Sequence, residues 1–191
     1  MSDINSIINI FLTNLKKYNL FGYIDGGKCI EYYYNKKIDT FDYDISIFIT
    51  DEQLYNQNTF ILLYNNIIKL YNNLSTIYKL LPIQLLDYSN IYTKYIPNNI
   101  INKNIEYINH YIVADIQFET QEFKTLIDIN ITHTNNIKHI KSIINENYYI
   151  SLHYLIKQVE EYYSDLKKVN SYKKNIIYNR LLILYYLKKK L

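Results

Sequence analysis

A mixed β-sheet flanked by helices, class α+β or α/β, is the fold this 191-residue sequence predicts. Three observations carry it. Apolar residues recur at helical spacing at both ends of the chain, short β-branched and aromatic runs stand between them, and a glycine pair separates the first such run from a helix.

Ile4, Ile7, Ile8, Phe11, Leu15 and Tyr18 follow helical spacing, with Ser2 or Asp3 available as the N-cap. "FGYIDGG" reads as a short strand running into a tight turn, and "KCIEYYYN" starts a helix at Lys28 or Cys29. "FDYDISIFI" reads as a strand. Phe60, Leu63, Ile67, Leu70, Leu74, Ile77 and Leu81 mark a long helix that Pro82 helps end. The stretch "IYTKYIPNNIINKNIEYINH" resists assignment. "YIVADIQFE" and "TLIDINITH", parted by the polar "TQEFK", predict an antiparallel hairpin or meander. Two amphipathic helices close the chain. One carries Leu152, Leu155, Ile156, Val159, Tyr162, Tyr163 and Leu166; the other carries Ile176, Ile177, Leu181, Leu184 and Tyr185, with "NSYKKN" as the hinge. The expected division is a catalytic core over 1–147 and a helical extension over 148–191 packed on it. The sheet is expected to hold about four or five strands.

Hydrophobic residues make up 49% of the chain, enough for a core at this length. Ile, Asn, Lys and Tyr dominate, with 24 tyrosines and no Trp. All four have A/T-rich codons, so the bias reads as mutational pressure, and a tyrosine cluster means less here than elsewhere. The net charge of +3 is far from the strong positive field of a dedicated nucleic-acid-binding arm. A single cysteine, Cys29, excludes an internal disulfide framework and a cysteine-based zinc site, and fits a reducing, intracellular, cytoplasmic setting. Neither a secretory signal nor a membrane span is expected.

The chemistry concentrates between residues 24 and 45. Side chains two apart on a strand share a face, so Asp42 and Asp44 project together while Tyr43 and Ile45 point away. Adjacent carboxylates repel and call for a compensating charge, and hard oxygen ligands favour Mg²⁺ or Mn²⁺ over zinc. Asp128 of "LIDIN" is a third acid in an apolar strand that can lie beside them, with Asp115 of "VADIQ" as its rival. Three carboxylates can hold two ions at the spacing used for in-line phosphoryl transfer. Gly26 and Gly27, without Cβ, permit a turn whose N–H groups approach a polyphosphate, and the following helix adds its dipole.

Ile24-Asp25-Gly26-Gly27 followed by Thr40-Phe41-Asp42-Tyr43-Asp44-Ile45 resembles the signature of the nucleotidyltransferase superfamily, the DNA polymerase β-like fold. The spread "GGKCIEYYY…TFDYD" looks most like the poly(A) polymerase catalytic subunit of poxviruses and other large DNA viruses, and the codon bias suits such a genome. The motif covers residues 20 to 50, and Asp128 extends it to about residue 131. The resemblance implies that Asp42 and Asp44 bind two metal ions. Asp128 would bind the ion that activates the attacking hydroxyl, while Gly26, Gly27 and Lys28 contact the nucleotide. It implies transfer of a nucleoside monophosphate, AMP from ATP, to an RNA 3′ end, in the cytoplasm, a viral factory or a virion. A homodimer or a second viral subunit would be the protein partner. Where the family places Ser or Thr after the glycines, this chain has Lys28 and then Cys29. Two alternatives stand beside this reading: transfer to a protein or small molecule, and a non-catalytic binding or assembly subunit on the same scaffold.

Lys157, Lys173 and Lys174 are the candidates for steadying a triphosphate, because terminal helices pack near this site in the family. Asp25 reads as a turn former or cap rather than a ligand, and Cys29 as a small packed residue. Tyr32, Tyr33 and Tyr34 read as packing before base stacking. The four histidines lack paired metal spacing and are expected at the surface or in local hydrogen bonds.

Overall fold

Asp3 caps helix α1 (Ile4–Lys17) by accepting from the Ser6 N–H at 2.8 Å. Strand β1 (Phe21–Asp25) runs without a break into helix α2 (Gly26–Tyr34), which ends on Asn35 in the left-handed region. Strand β2 (Tyr43–Ile49) leads through helix α3 (Asp51–Leu54) to helix α4 (Gln57–Ser75). Strands β3 (Tyr111–Glu119) and β4 (Thr125–His133) form a hairpin, followed by helices α5 (Ile137–Ile143), α6 (Leu152–Lys168) and α7 (Lys173–Lys188). The computed structural model describes residues 3–54, 56–82, 111–134, 137–168 and 173–190.

The four strands form one mixed sheet in the order β1-β2-β4-β3. β1 is antiparallel to β2, β2 is parallel to β4, and β4 is antiparallel to β3. The sheet's two faces differ. Tyr43, Ile45, Ile47, Ile127, Ile129 and Ile131 point to one side and share a buried cluster with Ile8, Leu12 and Leu15 of α1 and Leu63, Ile67 and Leu70 of α4. The other face carries Tyr23 and Phe48 in a second cluster with Cys29 and Ile30 of α2 and with Leu155, Ile156, Leu181 and Leu184 of the last two helices. The residues assigned to a C-terminal extension therefore share a core with β1, α2 and β2. The free edge of β1 is covered as well: the Ile24 N–H donates to the Tyr148 carbonyl at 2.6 Å, and the Ile150 N–H donates to the Ile24 carbonyl at 3.3 Å.

An α+β fold with a mixed four-stranded sheet is therefore what the sequence forms. Three local readings change. The helix expected to reach Leu81 stops at Ser75, seven residues before Pro82. The Ser75 hydroxyl donates to the Tyr71 carbonyl at 2.9 Å and the Thr76 hydroxyl to the Asn73 carbonyl at 2.7 Å, ending the helix from within. Helix α5, which the sequence reading missed, is only seven residues long. In α7, Ile176 and Tyr185 are exposed rather than packed, and Ile177, Leu181 and Leu184 form the buried stripe. The unassigned stretch at 83–110 and residues 169–172 of the expected hinge lie outside the described residues. No described helix is long and apolar enough to cross a membrane.

Candidate functional site

The sheet register assembles the acids. Asp25 pairs with Asp44 across β1 and β2, Asp44 pairs with Asp128 across β2 and β4, and Asp128 pairs with Gln117 across β4 and β3. One polar row thus crosses the sheet on the face opposite Tyr43 and Ile45, both of which are buried. Asp115, the rival to Asp128, pairs with Asn130, two residues along β4 from the partner of Asp44.

The strand expected from Phe41 starts at Tyr43, so Asp42 stands one residue before β2; it and Asp44 still both line a cavity of about 490 Å³. Asp25 and Gly26 share its acidic wall. The opposite wall comes from α6 and α7 and carries Lys173 and Arg180, with Val159, Ile176 and Ile177 as apolar lining. Among the three nominated lysines, Lys173 lines the cavity. Lys157 is exposed and lies 3.9 Å from Glu161, and Lys174 is not part of the wall. Asp128 sits beside Asp44 in the sheet but outside the cavity wall, with the Gln117 amide donating to it at 3.4 Å.

The electrostatics are those of crowded carboxylates. Burial raises Asp44 to a pKa of about 6; the charges of Asp42 and then Asp25 push the same way, while Arg180 and the Gly27 N–H pull it back. Burial also raises Asp25, against hydrogen bonds from the Gly26 N–H and the Gln158 side chain.

The two glycines fit tightly against Asp44 of the acidic wall and against Thr40. Gly26 has φ of +58°, and it begins α2 directly instead of preceding the helix in a separate turn. A Cβ there would overlap Asp44, standing 2.7 Å from its Cγ; a Cβ on Gly27 would stand 2.6 Å from Thr40 Cβ. Of the first N–H groups of α2, that of Gly26 donates to Asp25, and that of Gly27 lowers the pKa of Asp44. Lys28 turns away from the cavity. Its Nζ donates to Glu31 Oε2 at 2.9 Å and to the Thr40 carbonyl at 3.2 Å, and lies 5.3 Å from the Tyr43 ring centroid.

Asp42 and Asp44 suit a hard divalent cation by donor type and by a mutual repulsion that such an ion would relieve. Among the described residues, however, no three His, Cys, Asp or Glu side chains gather closely enough to hold a metal ion, so Asp128 stands outside a ready-made ligand set. His133 is buried in β4, so it is not one of the surface histidines, and His153 is exposed. Cys29 is fully buried, as expected of a packed residue, and burial raises its thiol pKa. Tyr32 stacks on Tyr149 with ring centroids 4.0 Å apart, and the Tyr33 hydroxyl donates to the Ile150 carbonyl at 2.9 Å.

Two residues of the cavity wall, Gln158 and Arg180, escaped the sequence reading. Arg180 is the only arginine among 21 cationic residues, in a chain whose bias otherwise favours Lys. That was its signal, because a planar guanidinium is not interchangeable with an ammonium. Gln158 carried no such signal.

No protein-family model matches the sequence, and no curated protein matches it. Among solved structures, the chain is similar to a nucleotidyltransferase-like protein from Paracoccidioides brasiliensis, described as antigenic. The TM-score is 0.46 and the identity 10%, over 96% of this chain and 76% of that one.

Proposed function

We propose that the chain is a metal-dependent nucleotidyltransferase that moves a nucleoside monophosphate, AMP from ATP, to the 3′ hydroxyl of an RNA. The observation that carries this reading is a single cavity of about 490 Å³ with Asp42 and Asp44 on one wall and Lys173 and Arg180 on the other. A space of this size accommodates a mononucleotide, and walls of opposite charge suit a triphosphate that must meet both cationic side chains and a carboxylate-bound cation.

In this assignment Asp42 and Asp44 would hold Mg²⁺ or Mn²⁺, and Asp128, beside Asp44 in the next strand, would join them only by turning its side chain toward the cavity. The chemistry that ion supplies when bound is neutralisation of phosphate charge and a lowered pKa at the attacking hydroxyl. Lys173 and Arg180 hold the triphosphate, and Val159, Ile176 and Ile177 keep water from the reacting groups. The acceptor oxygen bonds to the α-phosphorus, the bond between that phosphorus and the α–β bridging oxygen breaks, and pyrophosphate departs. The hydroxyl proton goes to a carboxylate of the acidic wall. Positioning and charge neutralisation supply most of the rate.

Binding of the four nucleoside triphosphates, with and without Mg²⁺ or Mn²⁺, followed by extension of an RNA oligonucleotide, tests this. Metal-dependent thermal stabilisation that vanishes in Asp42→Ala/Asp44→Ala, with added nucleotides on the RNA, supports it. No metal-dependent stabilisation by any triphosphate overturns it. The Gly26 N–H bonded to Asp25 and the diverted Lys28 favour a second reading, a scaffold that binds a nucleotide or a partner without turnover. Stabilisation without extension, and without AMP gained by any protein partner in mass spectrometry, is its signature.

A further inference from the structure

A second cavity, of about 390 Å³, lies at the other end of β1. Phe21 and Gly22 line it, whereas Asp25 belongs to the first cavity; at strand spacing the two ends are about 13 Å apart. Its walls bring together the last turn of α1, which carries Lys16, and the last turn of α5, which carries Lys141. Leu12 and Leu20 contribute apolar lining.

Both ammonium groups sit over rings that wall the same space. Lys141 Nζ is 4.1 Å from the Phe21 ring centroid, and Lys16 Nζ is 6.0 Å from that of Tyr148. Neither lysine pairs with a carboxylate among the described residues, although Glu146 lines the same cavity. A lysine in a last helical turn offsets the helix dipole and needs no ligand to explain it. Two such turns converging on one cavity, each cation set over an aromatic wall, is a different arrangement.

The walls are also built before any ligand arrives. Asn145 Oδ1 accepts from the Asn147 N–H at 3.0 Å and from the Tyr149 N–H at 2.9 Å, fixing the turn that presents Tyr148. The Tyr148 hydroxyl is 3.1 Å from that of Thr13 on α1, tying the two sides together. Two lysines and one glutamate leave the lining with a small positive charge rather than the stripe of cations a nucleic-acid strand needs.

We propose that this cavity is a binding site for a small aromatic anion. The anionic group lies between Lys16 and Lys141, and the ring lies against Phe21 and Ile144. The cavity does not touch Asp42 or Asp44, so the proposal stands apart from the transferase reading.

The sequence supplies an unusually clean reporter, because it holds three glycines: Gly22 in this cavity, Gly26 in the first, and Gly27 beside it. A ¹⁵N-glycine sample therefore shows three amide signals, and ¹³C-carbonyl phenylalanine identifies Gly22 as the residue following Phe21. The probe is phenyl phosphate, with inorganic phosphate and phenol as its separated halves. The expected result is saturable movement of the Gly22 signal with Gly26 and Gly27 stationary, and affinity at least about tenfold weaker for either half alone and in Lys16→Ala/Lys141→Ala. Unmoved Gly26 and Gly27 signals in that variant show that it folds. A stationary Gly22 signal, equal saturation by the double variant, or equal saturation by either half would overturn the proposal.

Discussion

Gly26 and Asp44 occupy space that only one side chain can fill: a Cβ on Gly26 would lie 2.7 Å from Asp44 Cγ. The backbone at the start of α2 thus closes directly onto the carboxylate that heads the acidic wall. The absence of a Cβ on Gly26 is what lets Asp44 stand this close to the start of α2, where Asp25 accepts from the Gly26 N–H.

Gly26→Ala therefore combines left-handed strain with overlap. The strain alone costs about 1–2 kcal/mol, and the overlap adds to it. In an Asp44→Ala background the overlap is largely gone, so the same substitution should cost only the strain. Urea unfolding of the four proteins measures the difference. Equal costs in both backgrounds would show that Asp44 does not crowd Gly26.

The acidic wall gives stability a pH dependence with a definite sign. Asp44 rises from 3.8 to about 6 on folding, so the folded state favours its protonated form. Its stabilising contribution is full below pH 3.8 and is lost as pH rises through about 6, on the order of 3 kcal/mol in all. Asp25 shifts in the same direction. Asp44→Asn should therefore be more stable than the parent at pH 7.5 in EDTA, with the advantage shrinking near pH 4. Urea midpoints across that range check it; an advantage independent of pH would place the effect elsewhere.

The architecture was legible because its signals are local. Alternation in "FDYDISIFI" found β2 from Tyr43 onward and grouped Asp42 with Asp44, which share a cavity although Asp42 precedes the strand, and apolar periodicity found α1, α4, α6 and α7. Tertiary effects were not legible in the same way. Nothing local to "GGK" reveals that Lys28 turns back to the Thr40 carbonyl, or that Thr40 crowds Gly27. Arg180 enters the cavity only because α7 packs across α2, a contact between segments about 150 residues apart in the sequence. The end of α4 was misplaced because the Ser75 and Thr76 hydroxyls bond back to the helix where apolar periodicity still continued through Ile77.

Lys28 and Arg180 should separate in binding experiments. Lys28 holds Glu31 and the Thr40 carbonyl, so Lys28→Met should cost about 1 kcal/mol of stability while leaving triphosphate affinity unchanged. Arg180 faces Asp44 in the cavity, so Arg180→Ala should weaken triphosphate binding by about tenfold or more. Calorimetric titration with ATP and Mg²⁺ reads both. A larger loss from Lys28→Met would return Lys28 to the nucleotide site.

The β3–β4 turn offers a gain instead of a loss. Phe123 has φ of 57° and is 79% exposed, so it bears left-handed strain while burying little of its ring. The turn does not depend on that ring. It is held by the Phe123 N–H donating to the Thr120 carbonyl at 2.8 Å and the Thr120 N–H donating to the Lys124 carbonyl at 2.9 Å. Phe123→Gly keeps both bonds and removes the Cβ that makes the conformation costly, at the expense of a freer unfolded chain. The strain term is the larger, so the variant should be more stable by about 0.5–1 kcal/mol. Urea unfolding at pH 7 measures the change, and a loss of stability would mean that the Phe123 ring packs against the chain in solution.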